Sequence, residues 1–256
     1  MSKENQLVGA STIIVALLVY IAGLAVFQRI AHPAAAVLGA QQSKSAVDRV
    51  VFAPDVALPP IQDGKAPVVY TIPTKQPVVF LTLDDGTTQD PDVGRLLADA
   101  HSPSSLFVLA SFIDSAPNYF AGITRKAGGQ IQNHTVSHSD LATLSYDQQK
   151  QEICGASDVI FRMYGERPQL FRPPYGSFND DTLRAAADCE IKVVVHWRAL
   201  VQDGVMYYQA GDSLRPGNIV LMHFTDNFKQ DLETFTREAR RAHLTPQPLE
   251  AWLTVR

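Results

Sequence analysis

The stretch Val78-Val79-Phe80-Leu81-Thr82-Leu83-Asp84-Asp85-Gly86 decides how the chain reads. Five largely apolar, β-prone residues, Val78 to Thr82, open a strand expected over 78–83. Two adjacent carboxylates follow where that strand should end, and Gly86 lets the backbone turn sharply. Two neighbouring carboxylates are costly to bury alone, so positive groups are expected beside them. Taken by itself, Asp-Asp-Gly also fits an acidic surface turn. The downstream sequence decides between the two.

Downstream, the rhythm is regular. Asp90-Pro91 has the form of a helix N-cap with proline in the first turn, opening a helix to about Ala100. A strand is expected over 105–109, a helix over 117–126 ended by Gly128-Gly129, and a short strand over 130–133. Ser145-Tyr146-Asp147-Gln148 fits a capping box opening a helix to about Tyr164. Strands over 170–172, 191–196 and 219–223 follow, with a helix capped by Asn179 before the second. The last helix, 229–243, puts Leu232, Phe235, Ala239 and Ala242 on one face. Alternating strands and helices with short connections indicate parallel β/α winding, an open sheet or a barrel. In both, chemistry gathers at the C-terminal ends of the strands.

Upstream, Leu7 to Phe27 is an uncharged run of 21 residues. About 20 helical residues cross a hydrocarbon core, and a signal peptide's apolar stretch is usually only about 7–15. An uncleaved signal anchor over 1–30 is expected, with cleavage near Ala34–Ala36 or Ala40 as the alternative. Residues 31–76 carry recurrent prolines without helical period and read as a linker and domain-edge segment, with a short strand near 68–72. The domain proper is placed at 77–256. A net charge of −4 and the lack of any basic block speak against nucleic-acid binding. Cys154 and Cys189 belong to no C-x-x-C pair, so a structural zinc site is not expected. They read either as one disulfide, if the domain is extracytoplasmic, or as two buried thiols.

The unusual polar residues fall on one rim. Asp84 and Asp85 end the first core strand, His134 ends the third with His138 four residues on, and Arg172 ends the strand before Pro173-Pro174-Tyr175-Gly176. His196 and Trp197 end the next strand, Asp203 lies in the loop beyond, and His223 ends the last. The H-x-x-x-H spacing fits two imidazoles on one face of a helical turn. Two histidines and a carboxylate suit zinc or another first-row divalent ion with open coordination positions. One aspartate would bind the ion while the other accepts a proton. Arg172 would hold the free carboxylate ionised. The Pro-Pro pair stiffens the backbone so that the Tyr175 amide could serve an oxyanion. His223 is a candidate general acid, with Asp203 fixing its tautomer or raising its pKa.

Together, L-T-L-D-D-G, N-H-T-V-S-H, F-R-P-P-Y-G, the segment from Trp197 to Asp203, and L-M-H resemble the five ordered motifs of polysaccharide deacetylases. These are the enzymes of the NodB homology domain, carbohydrate esterase family 4. The resemblance runs from about Pro77 to the C-terminus. It implies an α/β fold, an irregular (β/α)7-type barrel, here preceded by the transmembrane helix and linker. It further implies Asp84 as base, Asp85, His134 and His138 as metal ligands, and Arg172 orienting Asp84. The Tyr175 amide would stabilise the oxyanion, His223 would be the acid tuned by Asp203, and Trp197 and Leu221, with Pro174, would wall the acetyl pocket. The family commonly has a second tryptophan after the fourth-motif aspartate; Gly204 stands there.

The function expected is metal-dependent N-deacetylation of N-acetylglucosamine units in an extracytoplasmic glycan. Peptidoglycan is the first expectation and chitin-type oligomers the second. Zinc is the expected ion, with cobalt or another first-row divalent ion as alternative. The rival readings are an O-acetyl esterase acting on xylan and a wall-binding protein without turnover. A monomer held at the membrane by its N-terminal helix is expected, with secretion after cleavage as the alternative.

Overall fold

The computed structural model describes residues 52–55, 57 and 59–253. The expected anchor over Leu7–Phe27 lies outside the described residues. Among the described residues no helix is long and apolar enough to cross a membrane. A compact unit begins at Phe52.

Ten strands form one sheet: β1 (Val68–Val69), β2 (Val78–Asp85), β3 (Ser104–Val108), β4 (Ile131–Asn133), β5 (Leu170–Phe171), β6 (Val193–Val195), β7 (Ala199–Gln202), β8 (Val205–Tyr208), β9 (Ile219–His223) and β10 (Thr245–Pro246). The order is β1-β6-β5-β4-β3-β2-β9-β7-β8, with β10 beside β2. Every pairing is parallel except the β7–β8 hairpin. The helices are α1 (Val93–Asp99), α2 (Ala110–Ser115), α3 (Pro117–Ala127), α4 (Tyr146–Tyr164), α5 (Asp180–Asp188) and α6 (Phe228–Arg241).

The irregular barrel that the resemblance implies is a half-barrel. The sheet ends at two short edges, the two-residue β1 and the hairpin strand β8, which do not pair. An isolated antiparallel bridge, Thr71 with Asn218, joins the segment after β1 to the start of β9. Strands of two and four residues carry too few ladder bonds to draw the edges into a closed wall.

Side-chain alternation on β2 divides the core. Its even residues Val78 and Phe80 join Phe107, Leu170, Val193, Val195, Ile219, Leu249 and Trp252 in the interior cluster. Its odd residues Val79, Leu81 and Leu83 pack outward against the shell of α1, α3 and α6. A strand covered on both faces reads as a continuous apolar run, which is why 78–83 shows no polar alternation. The inward positions turn polar toward the C-terminal end, with Thr82 and Asp84 above Phe80. Aromatic residues thus plug the bottom of the half-barrel, and polar groups collect at its top.

Two helices start as the sequence predicts. Ser145 and Gln148 form a reciprocal capping box on α4, and Asn179 caps α5 with Thr182. Cys154 on α4 and Cys189 just beyond α5 are joined by a disulfide, the first of the two alternatives. It ties the two helices flanking β5, the strand that delivers Arg172 to the rim.

Candidate active site

Asp84 points into the half-barrel from the end of β2 and is 3% exposed. Its Oδ1 accepts a 2.7 Å bond from Arg172 Nη1. Arg172 is wholly buried, and each nitrogen of its guanidinium has a partner. Nη1 also donates to Thr82 Oγ1 (2.7 Å), Nε to Val195 O (3.2 Å) and Nη2 to His196 O (3.3 Å). The guanidinium carbon lies 4.3 Å from the Phe107 ring centroid. Burial works against this charge, while Asp84 favours it. The positive group that a buried carboxylate requires is therefore present, and the acidic-surface-turn reading of Asp-Asp-Gly falls away.

Strand alternation would send Asp85 outward. Its φ of 75° breaks the alternation and turns its carboxylate back toward the rim. Gly86, at φ 91°, continues the bend; a Cβ there would sit 2.7 Å from Phe120 Cζ. His134 is buried, and its Nδ1 donates to Arg172 O at 2.7 Å, which leaves Nε2 with its lone pair. That Nε2 lies 3.3 Å from Asp85 Oδ1 and 3.8 Å from Asp84 Oδ2. His138 Nε2 is also 3.3 Å from Asp85 Oδ1. One ligand atom from each of Asp85, His134 and His138 lies within 4.8 Å of the others.

Asp85 Oδ1 is buried yet makes no hydrogen bond, although both imidazoles approach it. Three donor atoms that converge without bonding one another, two of them imidazole nitrogens, suit a divalent first-row cation. Burial opposes ionisation of Asp85, but the imidazoles of His134 and His138 outweigh it and hold the carboxyl well below its usual range. Asp85 in turn raises His138, against a smaller opposing effect of burial.

The two histidines are not on a helical turn. Residues 134–140 form a loop with Thr135 at φ 74° and His138 at φ 64°. Side chains satisfy its backbone in place of a helical ladder. Asn133 Oδ1 accepts from Thr135 N, and Thr135 Oγ1 from His138 N. Glu152 on α4 accepts from Val136 N (3.0 Å), Ser137 N (2.9 Å) and Ser137 Oγ (2.8 Å). Asn133 Nδ2 is itself fixed by Ile153 O and Ser157 Oγ of the same helix. Sequence reasoning missed Glu152, because a glutamate within a helix carries no local mark of what it caps across space.

His223 pairs in register with Asp84 across β9 and β2, so both side chains rise from the same face of neighbouring strands. Leu221 and Thr82 pair one layer below. The loop that holds Asp203 is a hairpin turn. Asp203 (φ 53°) and Gly204 (φ 75°) are the two central residues of the β7–β8 hairpin, closed by the Gln202–Val205 pair. Asp-Gly with both residues left-handed is the sequence a type I′ turn requires. Asp203 Oδ1 accepts from Asn227 Nδ2 (2.7 Å), and no hydrogen bond or ion pair joins it to His223 among the described residues. Gly204 N donates to Asp231 Oδ1 (2.7 Å), and Asp231 is buried at the start of α6. Burial raises its carboxyl; Asp203 adds to the rise and His223 opposes it. Asp231 is a second residue the sequence did not reveal.

Pro174 is buried, and Tyr175 follows at φ 60°, ψ 4°. Its ring is 70% exposed and stands edge-on 4.6 Å from that of His138. Trp197 stacks on His196 at 5.3 Å and lies 5.7 Å from the Arg172 guanidinium. His196 is buried among Tyr70, Phe178 and Trp197, and its Nε2 has no partner. Burial, with the charge of Arg172 second, pushes its pKa down to about 4.

The family model for polysaccharide deacetylase matches residues 71–194. The chain is 28% identical over 164 residues to a peptidoglycan-N-acetylglucosamine deacetylase of Bacillus cereus, covering 61% of this chain and 59% of that one. It is 30% identical over 154 residues to a chitooligosaccharide deacetylase of a Bradyrhizobium species, covering 57% of this chain and 69% of that one. A solved carbohydrate esterase family 4 pseudoenzyme of Bacillus anthracis has the same fold, with TM-score 0.63 at 20% identity over 73% of this chain and 69% of that one. The chain spans about three fifths of the length of the first curated relatives it matches, 62% and 59%. The match begins before β2 and ends within β6, enclosing the strand ends that carry both aspartates, both loop histidines and the buried arginine. The chain belongs to the polysaccharide deacetylase family.

Proposed function

We propose that this protein is a metal-dependent hydrolase that removes acetyl groups from N-acetylglucosamine units of an extracytoplasmic glycan. One observation carries the reading. Asp85, His134 and His138 converge on one point beside an Asp84 that Arg172 holds, with His223 in register on the next strand. A pseudoenzyme shares this fold, so the fold alone does not decide turnover; the side chains at the rim do.

Asp85, His134 and His138 would hold a divalent ion, zinc first among the candidates and cobalt or another first-row ion next. Bound there, the ion supplies Lewis-acid activation of water and of the acetamido carbonyl. Asp84 accepts the proton of the attacking water. Arg172 fixes the Asp84 carboxylate in one orientation. Across the sheet His223 gives a proton to the departing amine. The Tyr175 amide faces the developing oxyanion, and Trp197, Leu221 and Pro174 wall the acetyl methyl. Asp203 and Asp231 close the hairpin beside His223.

Peptidoglycan is the glycan we favour, with chitin-type oligomers second. A relative named as a peptidoglycan deacetylase supports this choice. So does the uncharged run Leu7–Phe27, which we propose anchors the chain to a membrane with the catalytic unit outside. Acetate release from N-acetylglucosamine oligomers is the test. Chelation should abolish release and added zinc restore it. Undiminished release from metal-free protein would defeat the proposal. Release from acetylated xylan alone would replace it with an O-acetyl esterase. Tight glycan binding with no acetate from any substrate would make the protein a wall-binding module.

A further inference from the structure

Gly204 turns the segment after Asp203 into a two-stranded hairpin, and strand register places the hairpin against the cleft. Leu221 on β9 pairs with Leu200 on β7, and Leu200 pairs with Tyr207 on β8. Residues opposed in this way share a face of the sheet. Leu221 lies on the inner face with Thr82, so Leu200 and Tyr207 lie on it too. Gln202 and Val205, paired at the hairpin's end, are on the same face one layer higher, level with His223. The alternate residues point the other way: Met206 and Tyr208 pack on the outer core, and Tyr208 Oη reaches Glu238 on α6.

Val205 is 47% exposed and Tyr207 54% exposed. An apolar pair of this size on an edge strand calls for a partner. Two strand spacings, about 10 Å, separate Val205 from His223 and Tyr207 from Leu221. A glycan chain extending from the reacting sugar crosses that distance.

We propose that Val205 and Tyr207 form a platform on which a sugar next to the one being deacetylated stacks, with the Gln202 amide bonding its hydroxyls. The occupant is the glycan chain because the platform continues the inner face that carries Leu221 and His223. A pyranose face is apolar and its edge is polar, which matches an aromatic ring flanked by an amide. The platform rests on the deacetylase reading for its register with the reacting sugar, but not for the binding itself.

The test is the affinity of the full chain for an N-acetylglucosamine pentamer and for the monomer, with acetate release measured in parallel. In Tyr207→Ala the ratio of pentamer to monomer affinity should fall about tenfold, the weight of one aromatic contact. Tyr207→Trp should restore it. An unchanged ratio, or equal weakening of both ligands, overturns the platform, as does a Tyr207→Trp protein that behaves like Tyr207→Ala. The two readings separate cleanly. A wild type that releases acetate but whose ratio ignores Tyr207 loses the platform alone. A wild type whose ratio obeys Tyr207 but which releases no acetate loses the enzyme and keeps the platform.

Discussion

Arg172 joins stability to chemistry at a single residue. Its guanidinium neutralises Asp84 and binds Thr82, Val195 and His196 from full burial. Lysine keeps the charge but has neither the planar fork nor the reach to all four partners. Arg172→Lys should lower unfolding free energy by roughly 1–3 kcal/mol, the cost of leaving its buried acceptors unpaired. It should also reduce acetate release by at least tenfold. Urea titration and a product assay check both, and a variant as stable as wild type would contradict the network. His196 gives a pH signature. An unfolded histidine binds a proton below about 6.5, whereas this one is pushed down to about 4 by burial. The stability it contributes is complete above pH 6.5 and is lost as pH falls toward 4, by at most about 1.4 kcal/mol per unit. The stability of wild type relative to His196→Phe should decline across that window; a constant difference would contradict the assignment. At this scale the sequence was most legible where chemistry ends a strand. Asp84, Asp85, His134, Arg172 and His223 stand out because a polar group at the end of an apolar run has few structural uses. Asp231 and Glu152 did not stand out, because acidic residues on helices are common and their partners lie far along the chain.

At the scale of elements, the loop after β4 is where local pattern misled. The four-residue spacing of His134 and His138 suits a helix, but Asn133, Thr135 and Glu152 capture the backbone donors first. The loop is thus a bracket bolted to α4, and its histidines are placed by a carboxylate that touches neither. Glu152→Gln keeps the shape but halves the acceptor strength offered to Val136 and Ser137. Zinc affinity should fall roughly 10- to 100-fold with the fold intact, as removal of outer partners does elsewhere. Competition with a metal indicator measures this, and an unchanged affinity would show that the loop holds itself. Asp203 stands in a loop as expected, and that loop is a hairpin turn: Asp203-Gly204 between Val201-Gln202 and Val205-Met206 carries the turn signal, between two strands too short to stand out in the winding pattern. By contrast the helix caps at Ser145 and Asn179 were readable because capping is decided within four residues.

At the scale of the whole molecule, parallel winding was legible from alternation alone, and closure was not. Whether a barrel closes depends on the length of its edge strands; β1, expected near 68–72, is only two residues long, and β8 is too short and too mixed in composition to announce itself. The opening has a use, since it leaves the inner face of the hairpin accessible beside the catalytic rim. The aromatic floor of Phe80 and Trp252 then supports a polar top in which five separate chain segments meet. That meeting is the central claim, and the zinc content of the dialysed full-length protein tests it most directly. The wild type should retain about one ion per chain, and His138→Ala and Asp85→Ala should each lose most of it. A wild type that keeps none at neutral pH, or variants that keep as much as wild type, would contradict the account.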